Sequence, residues 1–115
     1  MKTIFTLALS ASLVALTQST AFAADAARGK QVYNKVGCYQ CHGYEGQGAN
    51  TGPKLAPEPM AVEGLTAYLR NAASTSMPPY SEKILSDKDV VDIHAYLSAI
   101  KKPPAGKSIP LLNNP

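Results

Sequence analysis

Both cysteines of the chain fall within five consecutive residues, Cys38-Tyr39-Gln40-Cys41-His42, and a histidine closes the run. In a chain of 115 residues this is the strongest constraint on what can fold. A disulfide scaffold needs several bridges, and two cysteines make at most one. The length allows one compact domain and excludes a barrel enzyme or a two-domain nucleotide-dependent enzyme. The formal net charge of +3, from 11 basic and 8 acidic residues scattered through the chain, is too mild for a nucleic-acid-binding stripe. A domain of this size has a thin core and generally draws stability from a metal, a disulfide or a cofactor.

The amino-terminal segment is an address and not part of that core. Lys2 precedes the uncharged apolar stretch Ile4–Leu16, and Ala21-Phe22-Ala23 follows. A positive region, an apolar region and a small-x-small site in that order predict a secretory signal peptide over residues 1–23. The apolar stretch is too short for a bilayer core that takes about 20 helical residues to span. No second long apolar stretch follows. The expectation is a periplasmic protein with no membrane anchor once the leader is removed.

Three segments carry helical signals. The first, Ala26 to Val36, has Asp25 as N-cap, an apolar stripe at Val32, Tyr33 and Val36, and Gly37 just past its end. The last begins at the N-cap Ser86, with Asp89 closing a capping box and Leu85 and Val90 forming a hydrophobic staple. Its stripe is Val90, Ile93, Leu97 and Ile100, Lys101 and Lys102 suit its negative end, and Pro103-Pro104 stops it. A middle helix over Glu63 to Ala72 places Leu65, Tyr68 and Leu69 at helical spacing. The remainder reads as loop, because Gly43 to Pro59 is rich in Gly and Pro and Met77-Pro78-Pro79 cannot sit inside a helix. No alternation persists long enough for a strand. Two long loops in so small an all-α domain need something to wrap.

The Cys-x-x-Cys-His run supplies it, as the attachment sequence of a c-type haem. Two thiols at this spacing can form thioethers with both vinyl groups on one porphyrin edge, and His42 then lies under the iron as its proximal ligand. A thioredoxin-like dithiol would need a preceding strand. A zinc site would need four ligands, and beyond Cys38, Cys41 and His42 only the distant His94 remains. A disulfide between the two cysteines would be strained and would leave His42 unexplained.

A second axial ligand has three sources: Met60, Met77 and His94. Met77 lies in a loop stiffened by Pro78 and Pro79 and is the preferred one. Met60, in a Pro-Glu-Pro-Met turn, reads as a packing or exposed residue. His94, on the last helix beside Val90 and Leu97, reads as a partly buried imidazole. Gly46-Gln47-Gly48 follows no strand and has the wrong spacing for a dinucleotide fingerprint. Its glycines are expected to let backbone pass close to the haem.

Several local patterns occur in a telling order. A Gly-x-x-x-aromatic pair at Gly29 and Tyr33 precedes the cysteines. Gly52-Pro53-Lys54-Leu55, Met77-Pro78 and Tyr96-Leu97 follow them. In this order, from Asp25 to Ile100, the chain resembles a small class I monohaem cytochrome c. The resemblance implies the cytochrome c fold, all-α, with three main helices and long loops wrapped around one covalently attached haem. It implies a cytochrome c domain over 24–102 and an extended C-terminal tail over 103–115. It also implies that Pro53 offers its carbonyl to the Nδ1–H of His42, that Leu55 packs on the haem face, and that Gly29 and Tyr33 cross the last helix near Tyr96 and Leu97. The cofactor-binding set is then Cys38, Cys41, His42, Pro53, Leu55 and Met77, with His42 and Met77 on the iron.

With both axial positions filled, no open site remains for substrate, and one-electron transfer through the haem edge is expected. The general look of the chain resembles small cytochromes that accompany periplasmic dehydrogenases. The expected partners are therefore a dehydrogenase donor and a cytochrome oxidase or other cytochrome acceptor, met in weak, transient contacts. A general soluble respiratory shuttle is the alternative, as is a haem sensor or peroxidase-like protein in which Met77 is displaceable. Two haem propionates would offset most of the net charge, so Lys54 and Lys83 offer at most a local docking rim.

Overall fold

The computed structural model describes residues 23–103. The expected signal peptide, apart from Ala23, and the tail beyond Pro103 lie outside the described residues. Four helices follow one another: α1 (Ala26–Lys35), α2 (Tyr39–His42), α3 (Val62–Arg70) and α4 (Asp87–Ala99). There is no strand among the described residues, and only Ala49 and Gly52 form an isolated bridge. No described helix is long and apolar enough to cross a membrane.

The helix ends show how local chemistry sets the boundaries. The Asp25 carboxylate accepts the backbone N–H of Arg28 at 2.9 Å and opens α1. Gly37, with φ of 84°, lets the chain leave α1 and turn directly into α2. The full capping box opens α4, with the Ser86 hydroxyl accepting from the Asp89 N–H and the Asp89 carboxylate accepting from the Ser86 N–H. Leu85 and Val90 beside it are completely buried.

Two helix ends fall short of the sequence expectation. Helix α4 stops at Ala99, so Lys101 and Lys102 lie beyond it and no basic residue occupies its last turn. A proline restricts only the residue just ahead of it. The earlier stop comes at Ile100, which turns extended (φ −64°, ψ 127°) while its side chain stays half-buried against the core. Helix α3 starts at Val62 and ends at Arg70. Past that point the Asn71 amide donates back to the Ala67 carbonyl at 3.1 Å, a side-chain bond that competes with a further helical turn.

Helix α1 packs on α4, and α3 packs on α4 beside it. The α1–α4 crossing sits at Gly29, where a β-carbon would lie 1.9 Å from the Asp92 carbonyl oxygen. One turn on, the Tyr33 and Tyr96 rings meet edge to face with centroids 5.6 Å apart. Gly29 therefore crosses α4 a turn earlier than the Tyr96-Leu97 position the resemblance implied. Asp92 is wholly buried at this crossing. Its carboxylate accepts from the Asp25 N–H (2.9 Å), from Lys88 (2.9 Å) and from the Arg28 guanidinium. Tyr33, Leu69, Leu85, Val90, Ile93, Tyr96 and Leu97, with Ala56 from the loop, complete the core.

Candidate functional site

The Cys-x-x-Cys-His run is not the plain continuation of a loop that the sequence indicates. It forms its own turn of helix, α2, whose hydrogen bonds fix all three side chains on a short rigid segment. The His42 N–H donates to the Cys38 carbonyl at 3.0 Å, and the Cys38 N–H donates back to Tyr33 in α1 at 3.1 Å.

His42 is 7% exposed. Its Nδ1 lies 2.8 Å from the Pro53 carbonyl oxygen. A carbonyl can only accept, so Nδ1 carries the proton and Nε2 keeps its lone pair free for a metal. The segment that brings Pro53 there is held against α2 by Thr51, whose hydroxyl donates to the Cys41 carbonyl at 3.2 Å, and by Gly52, which lies against the same carbonyl.

These residues line one wall of a cavity of about 840 Å³. That volume is within the range of cofactor sites. Leu55, Leu65, Leu69, Leu85, Ile93 and Leu97 supply much of its apolar lining, and Met77 and Met60 both reach it. Leu55 and Met77 are half-buried against the core, whereas Met60 is 54% exposed. His94 is half-buried on α4 and is not among the cavity-lining residues. Lys54 stands at the cavity, whereas Lys83 is exposed and does not line it.

The Gly46-Gln47-Gly48 loop does not approach the cavity. Gly46 backs onto Leu97 and Ala56, and its carbonyl accepts the N–H groups of Leu55 (2.8 Å) and Ala56 (3.0 Å). Gly48 lies against Lys54. The glycines let the loop fold onto itself and so set the position of Pro53 and Leu55 indirectly.

Arg70 carries no motif in the sequence and Tyr80 only closes the Met-Pro-Pro-Tyr run, yet together they tie down the Met77 loop. The Tyr80 N–H donates to Leu69 (2.8 Å), its hydroxyl donates to Val36 (3.3 Å), and its carbonyl accepts from Arg70 (3.0 Å). At the other end of this short stretch the Met77 N–H donates to the Ser74 hydroxyl at 2.9 Å.

Electrostatics separate two chemistries that share a Cys-x-x-Cys spacing. Burial pushes the Cys38 thiol up to about 11. A dithiol oxidoreductase needs the opposite, a thiolate stabilised near neutral pH. Among the described residues no three His, Cys, Asp or Glu side chains converge as a metal-ion site.

Residues 24–97 match the family model described as cytochrome c oxidase, cbb3-type, subunit III. The chain belongs to this cytochrome c family. No curated protein and no solved structure matches it significantly. The cofactor of a cytochrome c domain is haem c, and its work is electron transfer. The residues of this cbb3-type cytochrome domain fit that group: paired thiols, an imidazole with a free Nε2, and an apolar cavity share one site.

Proposed function

We propose that this chain is an exported, periplasmic one-electron carrier holding a single haem c, with the iron between His42 and Met77. Cys38 and Cys41 would hold the group by thioethers, giving the covalent, class I arrangement. When bound, the haem supplies an iron that changes oxidation state by one electron. The observation that carries the reading is that both thiols, the His42 ring and the Met77 thioether line a single cavity.

The protein's own residues set the conditions for that chemistry. The Pro53 carbonyl holds the imidazole in one tautomer and one orientation, and this raises its strength as a ligand. The leucine-lined wall keeps water from the iron, which favours the less charged oxidation state. A thioether ligand acts in the same direction. With Met77 seated, substrate has no coordination position, so the cavity mouth serves electron exchange with a partner.

The decisive experiment is a reduced-minus-oxidised visible spectrum before and after acidified-acetone extraction. A c-type haem spectrum that stays with the protein is expected, and a spectrum lost to the acetone refutes covalent attachment. The mass of the exported protein tests removal of residues 1–23. For partners, the reading is a periplasmic dehydrogenase as donor and the respiratory chain as acceptor, including oxidase components of the kind the family description names. Loss of dehydrogenase turnover when this cytochrome is omitted is the expected result. Unchanged turnover favours a general respiratory shuttle.

A further inference from the structure

We infer that Arg70 is a positioning residue that holds the Met77 loop closed over the cavity, acting through the carbonyl of Tyr80. The inference rests on Met77 being the second iron ligand. It concerns what keeps that ligand in place.

Between the end of α3 and the start of α4, the chain from Ser74 to Pro79 has no helix of its own. A thioether is a weak ligand on a flexible side chain, so its hold on iron depends on how firmly the backbone presents it. The fixed point is Tyr80, separated from Met77 only by Pro78 and Pro79. These prolines have locked φ angles and transmit the position of Tyr80 to Met77.

Tyr80 is held from three sides. Its N–H binds the Leu69 carbonyl at the end of α3, and its hydroxyl binds Val36 at the end of α1. Its carbonyl receives one arm of the Arg70 guanidinium, whose other arm binds Asp87 in the first turn of α4 at 2.6 Å. Arg70 thus joins α3, the Met77 loop and α4 at one point. The two arms differ in weight. Asp87 is exposed and its ion pair is screened by water, whereas the Tyr80 contact is partly buried and is a charge-assisted bond to backbone. Lysine cannot reproduce the fork, because a single ammonium does not span both partners in that planar geometry.

The test uses the haem-loaded protein and imidazole as a probe that binds ferric iron only when Met77 has left. Arg70→Gln is expected to keep the far-ultraviolet helix signal and the covalent haem while raising imidazole affinity about tenfold, the factor that one charge-assisted hydrogen bond is worth. Asp87→Asn, which leaves the Tyr80 bond intact, is expected to change it less than about twofold. If Arg70→Gln does not fold, Arg70→Met, which keeps the aliphatic stem and has no donor for the Tyr80 carbonyl, decides, with the same rise expected. A folded Arg70 variant with wild-type imidazole affinity overturns the inference. A Met77→Ala protein that keeps the methionine-to-iron charge-transfer band overturns the ligand assignment itself, a separate result.

Discussion

Gly29 and Asp92 meet where α1 crosses α4, so closely that the Asp92 carbonyl oxygen occupies the space a side chain on residue 29 would need. The backbone of one helix lies directly on the other, and neither partner is a flexible side chain that can yield. Gly29→Ala is expected to cost about 3 kcal/mol of stability, the upper part of the range for overpacking. Urea unfolding of the haem-loaded protein, with the tyrosine signal as readout, checks it. A loss below about 0.5 kcal/mol would show that α1 can shift freely.

The buried Asp92 makes the same crossing sensitive to acid. Burial alone would raise its carboxyl, but Lys88, the Asp25 N–H and Arg28 outweigh that and hold it below the ordinary value. A depressed folded-state value contributes stability that is complete above the unfolded carboxylate value near 3.9 and disappears as pH falls through the lower folded one. Asp92→Asn is expected to lose about 2 kcal/mol at neutral pH, because Lys88 loses its carboxylate partner and Arg28 keeps only Asp89. The gap from wild type should narrow below about pH 4, because wild type then loses the same interaction. Denaturant midpoints at pH 7, 4 and 3 measure this, and a gap independent of pH would contradict it.

Replacing the thioether tests the iron's second ligand. Met77→Ala is expected to keep the covalent haem and lower the reduction potential by on the order of 0.1 V, within the roughly 0.8 V that axial ligands span. It should also abolish the methionine-to-iron band of the ferric protein. Met60→Ala, which alters a more exposed thioether on the same cavity, should leave both unchanged. The reverse pattern would make Met60 the ligand.

Removing the haem should undo much of the fold. Without the haem, the leucine, isoleucine and methionine side chains that line the 840 Å³ cavity lose their packing partner and are left facing water. The apo chain is therefore expected to collapse or unfold around the site. A far-ultraviolet spectrum with undiminished helix after haem removal would refute this.

What the sequence made legible was local. The Asp25 cap, the Ser86–Asp89 capping box and the Leu85–Val90 staple each involve residues a few positions apart, so spacing alone shows them. The resemblance implied the Pro53 contact to His42, and the structure places those atoms 2.8 Å apart. The bonds from Arg70 to Tyr80 and Asp87, and from Tyr80 to Val36, join separate elements and leave no periodic trace. The end of α4 is hidden for a related reason: Pro103-Pro104 marks a stop in the sequence, but the packing of Ile100 on the core leaves no mark there.

The hydrogen bond from the Tyr80 hydroxyl to Val36 has a consequence for speed. Val36 lies two residues before Cys38, so the stretch that carries His42 also bears part of the anchor for Met77. If those two side chains grip the iron, both jaws are referred to one piece of backbone. Breathing of α3 or α4 then has less leverage on the spacing between them. An electron carrier must change oxidation state with little movement of its ligands, and a common mounting keeps that rearrangement small.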